Sequence, residues 1–323
     1  MSAAETEIVP VAKRFDHIGI VVSNLEGSRE WCREILDAIP VGDPFEVPGT
    51  GVRLAFVSLG NGAIELIEHA GTPGRPFELA NNDPGAFHPC LRVSDLDAPY
   101  RRLLDHGGSA STPPTELIPD VFSYYFRDPD RVQFQLIKLP GPAGEEVGLR
   151  FADGLHHVAF SVADLDRTLE WYERVLGLRR LPPPKEASGQ GAPRGGDLVS
   201  RTFEVPAGEF RQALVPIGGG ASSPGGILLE IMEWVQPRGR PYSLTTQDIG
   251  SAHLCFEVDD LDTVHNALAS GGERILAPLS AVPVGPLTGR RSFFVGDPDG
   301  LPLQILGAPK PSYAAAVSSS VVK

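Results

Sequence analysis

The stretch Phe15-Asp16-His17-Ile18-Gly19-Ile20-Val21-Val22-Ser23-Asn24-Leu25 decides the fold, because its pattern returns three more times. FDHIGIVVSNLEGS at 15–28 is answered by AFHPCLRVSDLDAP at 86–99, LHHVAFSVADLDRT at 155–168 and SAHLCFEVDDLDTV at 251–264. Each is a short strand-like run ending in an Asn-Leu or Asp-Leu turn, whose polar side chain can cap a following helix. Helical spacing follows in SREWCREILDA, APYRRLLDHGG, TLEWYERVLGL and TVHNALASGG, with glycine at or near the exit of the last three. Further strand-like runs come next. They are VRLAFVSL and AIELIEH around Gly60-Asn61-Gly62, then FSYYFR and VQFQLIK around Asp128-Pro129-Asp130, then SFFVG and LPLQIL around Asp297-Pro298-Asp299-Gly300. The unit is therefore β-α-β-β-β, used four times in an α+β chain. Modules one and two are read as one half, modules three and four as the other.

This reading divides the chain into an N-terminal extension at 1–14, a first domain at 15–139, a linker at 140–153, a second domain at 154–308 and a flexible tail at 309–323. The linker sequence, LPGPAGEEVGLR, has the Pro, Gly and Glu content of an exposed connection. Repetition also reaches the joints, since GRPFELANNDPGAFHPC ahead of the second module matches GRPYSLTTQDIGSAHLC ahead of the fourth. The third module alone carries long insertions, LPPPKEASGQGAPRGGD and GGGASSPGG, which read as lids or surface loops.

Composition narrows the function. A formal charge of −13 argues against phosphate-backbone binding. The first residues lack a basic segment followed by an apolar run, and no apolar stretch is long enough to span a membrane, so a cytoplasmic location is expected. Three cysteines, Cys32, Cys90 and Cys255, make no disulfide framework and no CxxC pattern, and Cys90 and Cys255 read as small core residues.

Aligning the halves puts one set of polar residues in register: His17 with His157, Glu65 with Glu230, His88 with His253, and Gln135 with Gln304. Glu65 to His88 and Glu230 to His253 are both 23 positions. Each sits within an apolar strand, where a buried charge or amide is costly unless paired or ligated. Two imidazoles, a carboxylate and an amide oxygen suit a divalent ion such as Zn, Fe, Mn, Ni or Co, with the amide as a weaker, displaceable ligand. His156, next to His157, is expected on the opposite strand face. Cys255 and Glu257 share a face with His253, which makes Glu257 a candidate general base beside Glu230. Tyr124, Tyr125, Arg290 and Arg291 could orient an oxyanion. Pro89 suggests an irregular strand, and with the insertions it favours the second half, His157, Glu230, His253 and Gln304, as the working site.

The DHIGIVV and HHVAFSV starts, with WYERVLGL, LGNGAIELIE and FFVGDPDG, resemble the vicinal oxygen chelate superfamily. That superfamily includes glyoxalase I, methylmalonyl-CoA epimerase, fosfomycin-resistance enzymes, extradiol dioxygenases and bleomycin-binding proteins. The resemblance implies two half-open β-barrel domains, each built from two βαβββ units with a metal on the concave face. VPGTGVRLAFVSLGNGAIELIE is most similar to methylmalonyl-CoA epimerase, and AHLCFEV in the fourth module is also similar. Gly49 and Gln135 stand where that enzyme usually has glutamates, and Gln304 stands where extradiol dioxygenases have theirs. The reading is a metal-dependent isomerase/epimerase or lyase acting on a small oxygenated carbonyl compound through an enediolate-like intermediate. Alternatives are a non-haem Fe(II) dioxygenase of catechol-like substrates and a metal-free small-molecule binding or resistance protein. The expected partner is a small-molecule substrate, with no nucleic acid or membrane, and the expected state is monomer or homodimer.

Overall fold

The computed structural model describes residues 12–71, 74–140, 152–182, 194–218 and 226–308. Most of the N-terminal extension, most of the linker, the tail and most of the two third-module insertions lie outside the described residues. Module one runs β1 (Arg14–Val21), α1 (Leu25–Ile35), β2 (Ile39–Val47), β3 (Val52–Ser58) and β4 (Ala63–His69). Module two runs β5 (Phe87–Val93), α2 (Asp97–Asp105), β6 (Thr115–Ile118), β7 (Val121–Arg127) and β8 (Gln133–Lys138). Module three runs β9 (Ala152–Val162), α3 (Leu165–Leu176), α4 (Asp197–Thr202), β10 (Glu209–Ile217) and β11 (Ile227–Gln236). Module four runs β12 (Ala252–Val258), α5 (Leu261–Ser270), β13 (Ile275–Ala281), β14 (Arg291–Gly296) and β15 (Pro302–Gly307). Module three thus departs from β-α-β-β-β among the described residues: the short helix α4 stands where a strand was expected.

The turns after the opening strands cap as their sequences require. Asn24 Oδ1 accepts from Gly27 N at 3.0 Å, Asp164 Oδ1 from Arg167 N at 3.0 Å, and Asp260 Oδ1 from Thr263 N at 3.0 Å. Gly177 ends α3 at φ 67°, a left-handed conformation that glycine adopts without Cβ strain. The helices bury Leu25, Cys32 and Ile35 of α1, and Leu165, Tyr172, Val175 and Leu176 of α3, in one continuous core that serves both sheets.

The sheets correct the grouping of modules. One sheet has the order β13-β14-β15-β12-β1-β4-β3-β2, so module one is completed by module four. The other has the order β10-β11-β9-β5-β8-β7-β6, so module three is completed by module two. At each centre two opening strands pair antiparallel, β1 with β12 and β5 with β9. Module one does not close on module two, nor module three on module four, because the segment after β4 leaves its sheet for the other, and the segment after β11 returns.

These two crossing segments clasp each other. Arg75 Nη2 donates to Asp248 Oδ2 at 2.7 Å and to the Ser243 carbonyl at 2.7 Å. Arg240 Nη2 donates to Asp83 Oδ2 at 2.8 Å and to the Glu78 carbonyl at 3.0 Å. The repeated Gly-Arg-Pro motif explains the contact. A Cβ on Gly74 would lie 1.9 Å from the Gln247 carbonyl oxygen, and one on Gly239 would lie 1.9 Å from that of Asn82, so only glycine lets the backbones approach. The arginine of each repeat then reaches the buried aspartate of the other.

Candidate metal centre

In the barrel of modules one and four, β1 supplies His17, β4 Glu65, β12 His253 and β15 Gln304. His17 Nε2 lies 3.3 Å from His253 Nε2 and 3.6 Å from Glu65 Oε2, and His253 Nε2 lies 3.4 Å from Glu65 Oε2. Gln304 Nε2 donates to Ser292 Oγ at 3.1 Å, which leaves Gln304 Oε1 buried with no hydrogen-bond partner. His17 Nδ1 meets Asp16 Oδ1 at 2.9 Å. A carboxylate can only accept, so Nδ1 carries a proton, and Nε2 is the ring atom that would face an ion once its own proton is lost. Ligand atoms of His17, Glu65 and His253 lie within 4.8 Å of one another with the Gln304 amide beside His253, and the donor set fits a divalent cation.

Asp16 reaches this position through a β-bulge. Phe15 pairs with Phe256 and His17 with Cys255, so Asp16 is the extra residue of β1 and its side chain turns beside its neighbour's ring. His156 is bulged in the same way, since Leu155 pairs with Leu91 and His157 with Cys90. Its Nδ1 lies 2.8 Å from that of His157, so the expectation that His156 faces away is corrected.

The titration directions follow the geometry. For His17, burial opposes the charged form, but Cys255, Asp16 and Glu65 outweigh it and hold the ring well above its usual value. Burial, with His17 adding repulsion, pushes His253 down to about 3. Burial raises the Glu65 carboxyl above the usual range.

Glu65, His253 and Gln304 line a cavity of about 490 Å³, with His17 buried behind them, and its walls also include Phe45, Leu54, Phe56, Leu276, Leu287 and Phe294. Phe56 packs edge-on to His17 with ring centroids 5.4 Å apart, and Phe294 packs edge-on to His253 at 5.2 Å. β3 and β14 place these rings opposite the ligands, because Phe56 pairs with Glu65 and Phe294 with Gln304. The 282–287 segment also lines the cavity, and Gly285 at φ 83° lies so close to Phe45 that a Cβ would come within 2.1 Å of the ring.

The barrel of modules two and three repeats the ligand set as His88, Gln135, His157 and Glu230. His157 Nε2 is 3.2 Å from Glu230 Oε2, and ligand atoms of His88, His157 and Glu230 lie within 4.8 Å of one another. Gln135 Nε2 donates to Ser123 Oγ at 2.8 Å, leaving Gln135 Oε1 and His88 Nε2 buried and without hydrogen-bond partners. Here Glu230 is held below the usual range: burial opposes this, but the His157 hydrogen bond and charge prevail. The surroundings differ too. Phe203, just after α4, packs on Tyr125 at 5.1 Å and on Trp234 at 5.5 Å and faces His88 at 6.3 Å, within a cluster that includes Phe210 and Met232. Among the described residues the space beside His88 is about 10 Å³.

All eight expected ligands thus gather at two centres, but not as the four expected to work together. His157 and Glu230 are in one barrel, His253 and Gln304 in the other, and the triad of His157, Glu230 and His253 does not assemble. Glu257 is not a base at the cavity. Its Oε2 accepts from Arg290 at 2.6 Å and from Arg14 at 2.8 Å, because the face that carries His253 leads away from the cavity within four residues. Arg290 also donates to Asp16 and to the Gly307 carbonyl, and Arg291 pairs with Asp262 at the surface. Tyr124 is buried against Tyr100 and Phe126, so of the proposed oxyanion helpers only Tyr125 reaches a centre, at 5.2 Å from His88. Cys90 and Cys255 are wholly buried, as expected, with Cys255 against His17. Sequence reasoning missed Asp16, Phe56 and Phe294. The Asp-His dipeptide was the one signal for the first, and strand pairing alone reveals the others.

Paired βαβββ units whose concave faces gather histidines, glutamate and glutamine define a protein class, and sequence models agree with it. Models described as Glyoxalase/Bleomycin resistance protein/Dioxygenase superfamily match residues 16–125 and 154–305, and the chain belongs to that superfamily. It is 29% identical to 2-epi-5-epi-valiolone epimerase from Actinomyces sp. over 164 residues, which cover 50% of this chain and 83% of that one. It is 35% identical to an ethylmalonyl-CoA/methylmalonyl-CoA epimerase from Cereibacter sphaeroides over 96 residues, 29% of this chain and 71% of that protein. It spans about half the length of the mitochondrial methylmalonyl-CoA epimerases it matches. The fold superposes on glyoxalase I from Zea mays with a TM-score of 0.64 at 19% identity, covering 91% of this chain and 92% of that one.

Proposed function

We propose that the chain is a metal-dependent isomerase/epimerase or lyase acting on a small oxygenated carbonyl compound, and that the barrel of modules one and four is the working site. One observation carries this reading: ligand atoms of His17, Glu65 and His253 lie within 4.8 Å of one another, and Glu65, His253 and Gln304 line a cavity of ligand size, about 490 Å³. A divalent ion held there would draw charge from the substrate's paired oxygens and make the neighbouring C–H more acidic. Epimerases among the relatives support proton-transfer chemistry.

The protein's own groups divide the remaining work. Asp16 fixes the tautomer and orientation of His17. Ser292 turns the Gln304 amide so that its oxygen, not its nitrogen, faces the centre. Phe56 and Phe294 exclude water from both sides. Glu65 is the one carboxylate on the described cavity wall, so it is the group placed to take the proton from the carbon beside the carbonyl and return it. This role replaces those expected for Glu230 and Glu257.

Elemental analysis of protein purified without chelator or nickel resin tests the reading, beside His17→Ala and His157→Ala. Zinc, manganese, nickel or cobalt lost in His17→Ala is the expected result. Iron with oxygen consumption would replace the isomerase or lyase by an oxygenase. No metal, with none taken up on soaking, would leave a binding protein.

A further inference from the structure

The geometry points to a neutral, largely apolar substrate whose paired oxygens occupy one end only, rather than an anionic conjugate such as an acyl-CoA or a glutathione adduct. This names the substrate class of the site proposed above and rests on that reading for the oxygen-bearing end alone. The charged or titratable side chains on the described cavity wall are Glu65, His253 and His69, and neither lysine nor arginine is among them. Nearby guanidinium groups are already engaged. Arg53 donates to Glu68 and Glu26, and Arg290 to Asp16, Glu257 and the Gly307 carbonyl. A buried carboxylate or phosphate in the substrate would find no countercharge from these groups, and the chain's net charge of −13 disfavours its approach as well.

What the wall offers instead is hydrocarbon: Leu54, Leu276, Val284 and Leu287, with Phe45 stacked parallel to Phe56 at 6.4 Å. Polar handles away from the ligands are few, and none is a lysine, arginine or carboxylate. Thr246 and Ser251 lie beside His69, whose Nε2 contacts the Thr246 carbonyl at 3.0 Å. A pocket of this kind binds by apolar burial, with a few polar groups fixing orientation.

The test compares probes that differ only at the far end, by ligand-observed NMR titration of the full chain. Octanamide and suberamate, its ω-carboxylate counterpart, are titrated into metal-free protein. Octanohydroxamate is then titrated with and without the bound ion. Octanamide is expected to bind at least tenfold more tightly than suberamate, and Leu276→Arg to reduce or reverse that preference. Equal or tighter binding of suberamate to the wild type overturns the proposal, as does failure of both amides to bind. If octanamide is preferred but the ion adds nothing to octanohydroxamate, the substrate class is supported and the metal reading fails, so the two are separable. Should Leu276→Arg not fold, the wild-type comparison still decides.

Discussion

Gly19 on β1 lies directly across from His253, and its missing side chain is what lets that ring reach the centre. A Cβ built on Gly19 would sit 2.0 Å from His253 Cε1, 2.4 Å from Nδ1 and 2.7 Å from Nε2. Cβ contacts below 3.0 Å are essentially never seen, so in Gly19→Ala the ring must retreat by about 1 Å or more. Metal–ligand distances tolerate only about 0.2 Å, so a shift of this size removes His253 from the donor set. Losing a partner of a ligand typically costs 10–100-fold in metal affinity, and losing a ligand should cost at least that, about 1.4–2.8 kcal/mol or more. Overpacking of about 1–3 kcal/mol adds a stability cost, which a domain of ordinary stability survives. The assay is titration with a chromophoric competitor chelator in a His157→Ala background, which silences the other barrel, with near-ultraviolet circular dichroism to confirm folding. Folded Gly19→Ala with unchanged stoichiometry and affinity would refute the placement of His253 at the centre. The second barrel makes the contrast: Ala159 faces His88 there, so a Cβ is already accommodated.

Two further outcomes follow from groups remote from the centres. Arg75→Ala should lower the urea midpoint, because the buried Asp248 loses its guanidinium partner and keeps only Thr245 and the residue-75 backbone N–H; an unchanged midpoint would show that the clasp is not a stabilising contact. The stability contributed by four aspartates should also peak at about pH 4 and decline on either side. Burial raises Asp128 and Asp297 to about 7, so the folded state holds their protons more tightly than the unfolded chain does, and stability falls as pH rises from about 4 through 7. Asp248 is held low by its hydrogen bond from Arg75, and Asp83 by its bonds from Arg240 against an opposing burial effect, so their contribution is present above about pH 4 and lost below it. Denaturation midpoints at pH 5 and pH 8 check the upper limb, which Asp297→Asn should flatten; a higher midpoint at pH 8 would contradict the sign.

Much was legible from the sequence because it depends on local pattern. Four strand–turn–helix starts announce themselves through β-branched runs and capping residues, since capping and strand alternation act over a few positions. The eight ligands were visible for the same reason: a polar side chain inside an apolar strand is conspicuous, and recurrence at equal spacing makes it informative. Module three shows the limit, because α4 and Phe203 replace an expected strand with a plug of aromatic rings.

Which modules close on each other is not a local property. The 17-residue joints at 74–90 and 239–255 look alike, and nothing within either says that its arginine will bond the aspartate of the other. Pairing is decided by where each opening strand finds a partner and buries its apolar face, so His17 and Glu65 wait for His253 and Gln304 from the far end of the chain. The bulge that turns Asp16 onto His17, the ion pairs that take Glu257 away from chemistry, and the difference between an open cavity and a filled one arise from packing between segments far apart in sequence. The amino-acid sequence by itself determined the repeated unit and the identity of the candidate ligands. Only the tertiary structure decided which four of them share a centre and which centre, among the described residues, opens on a cavity.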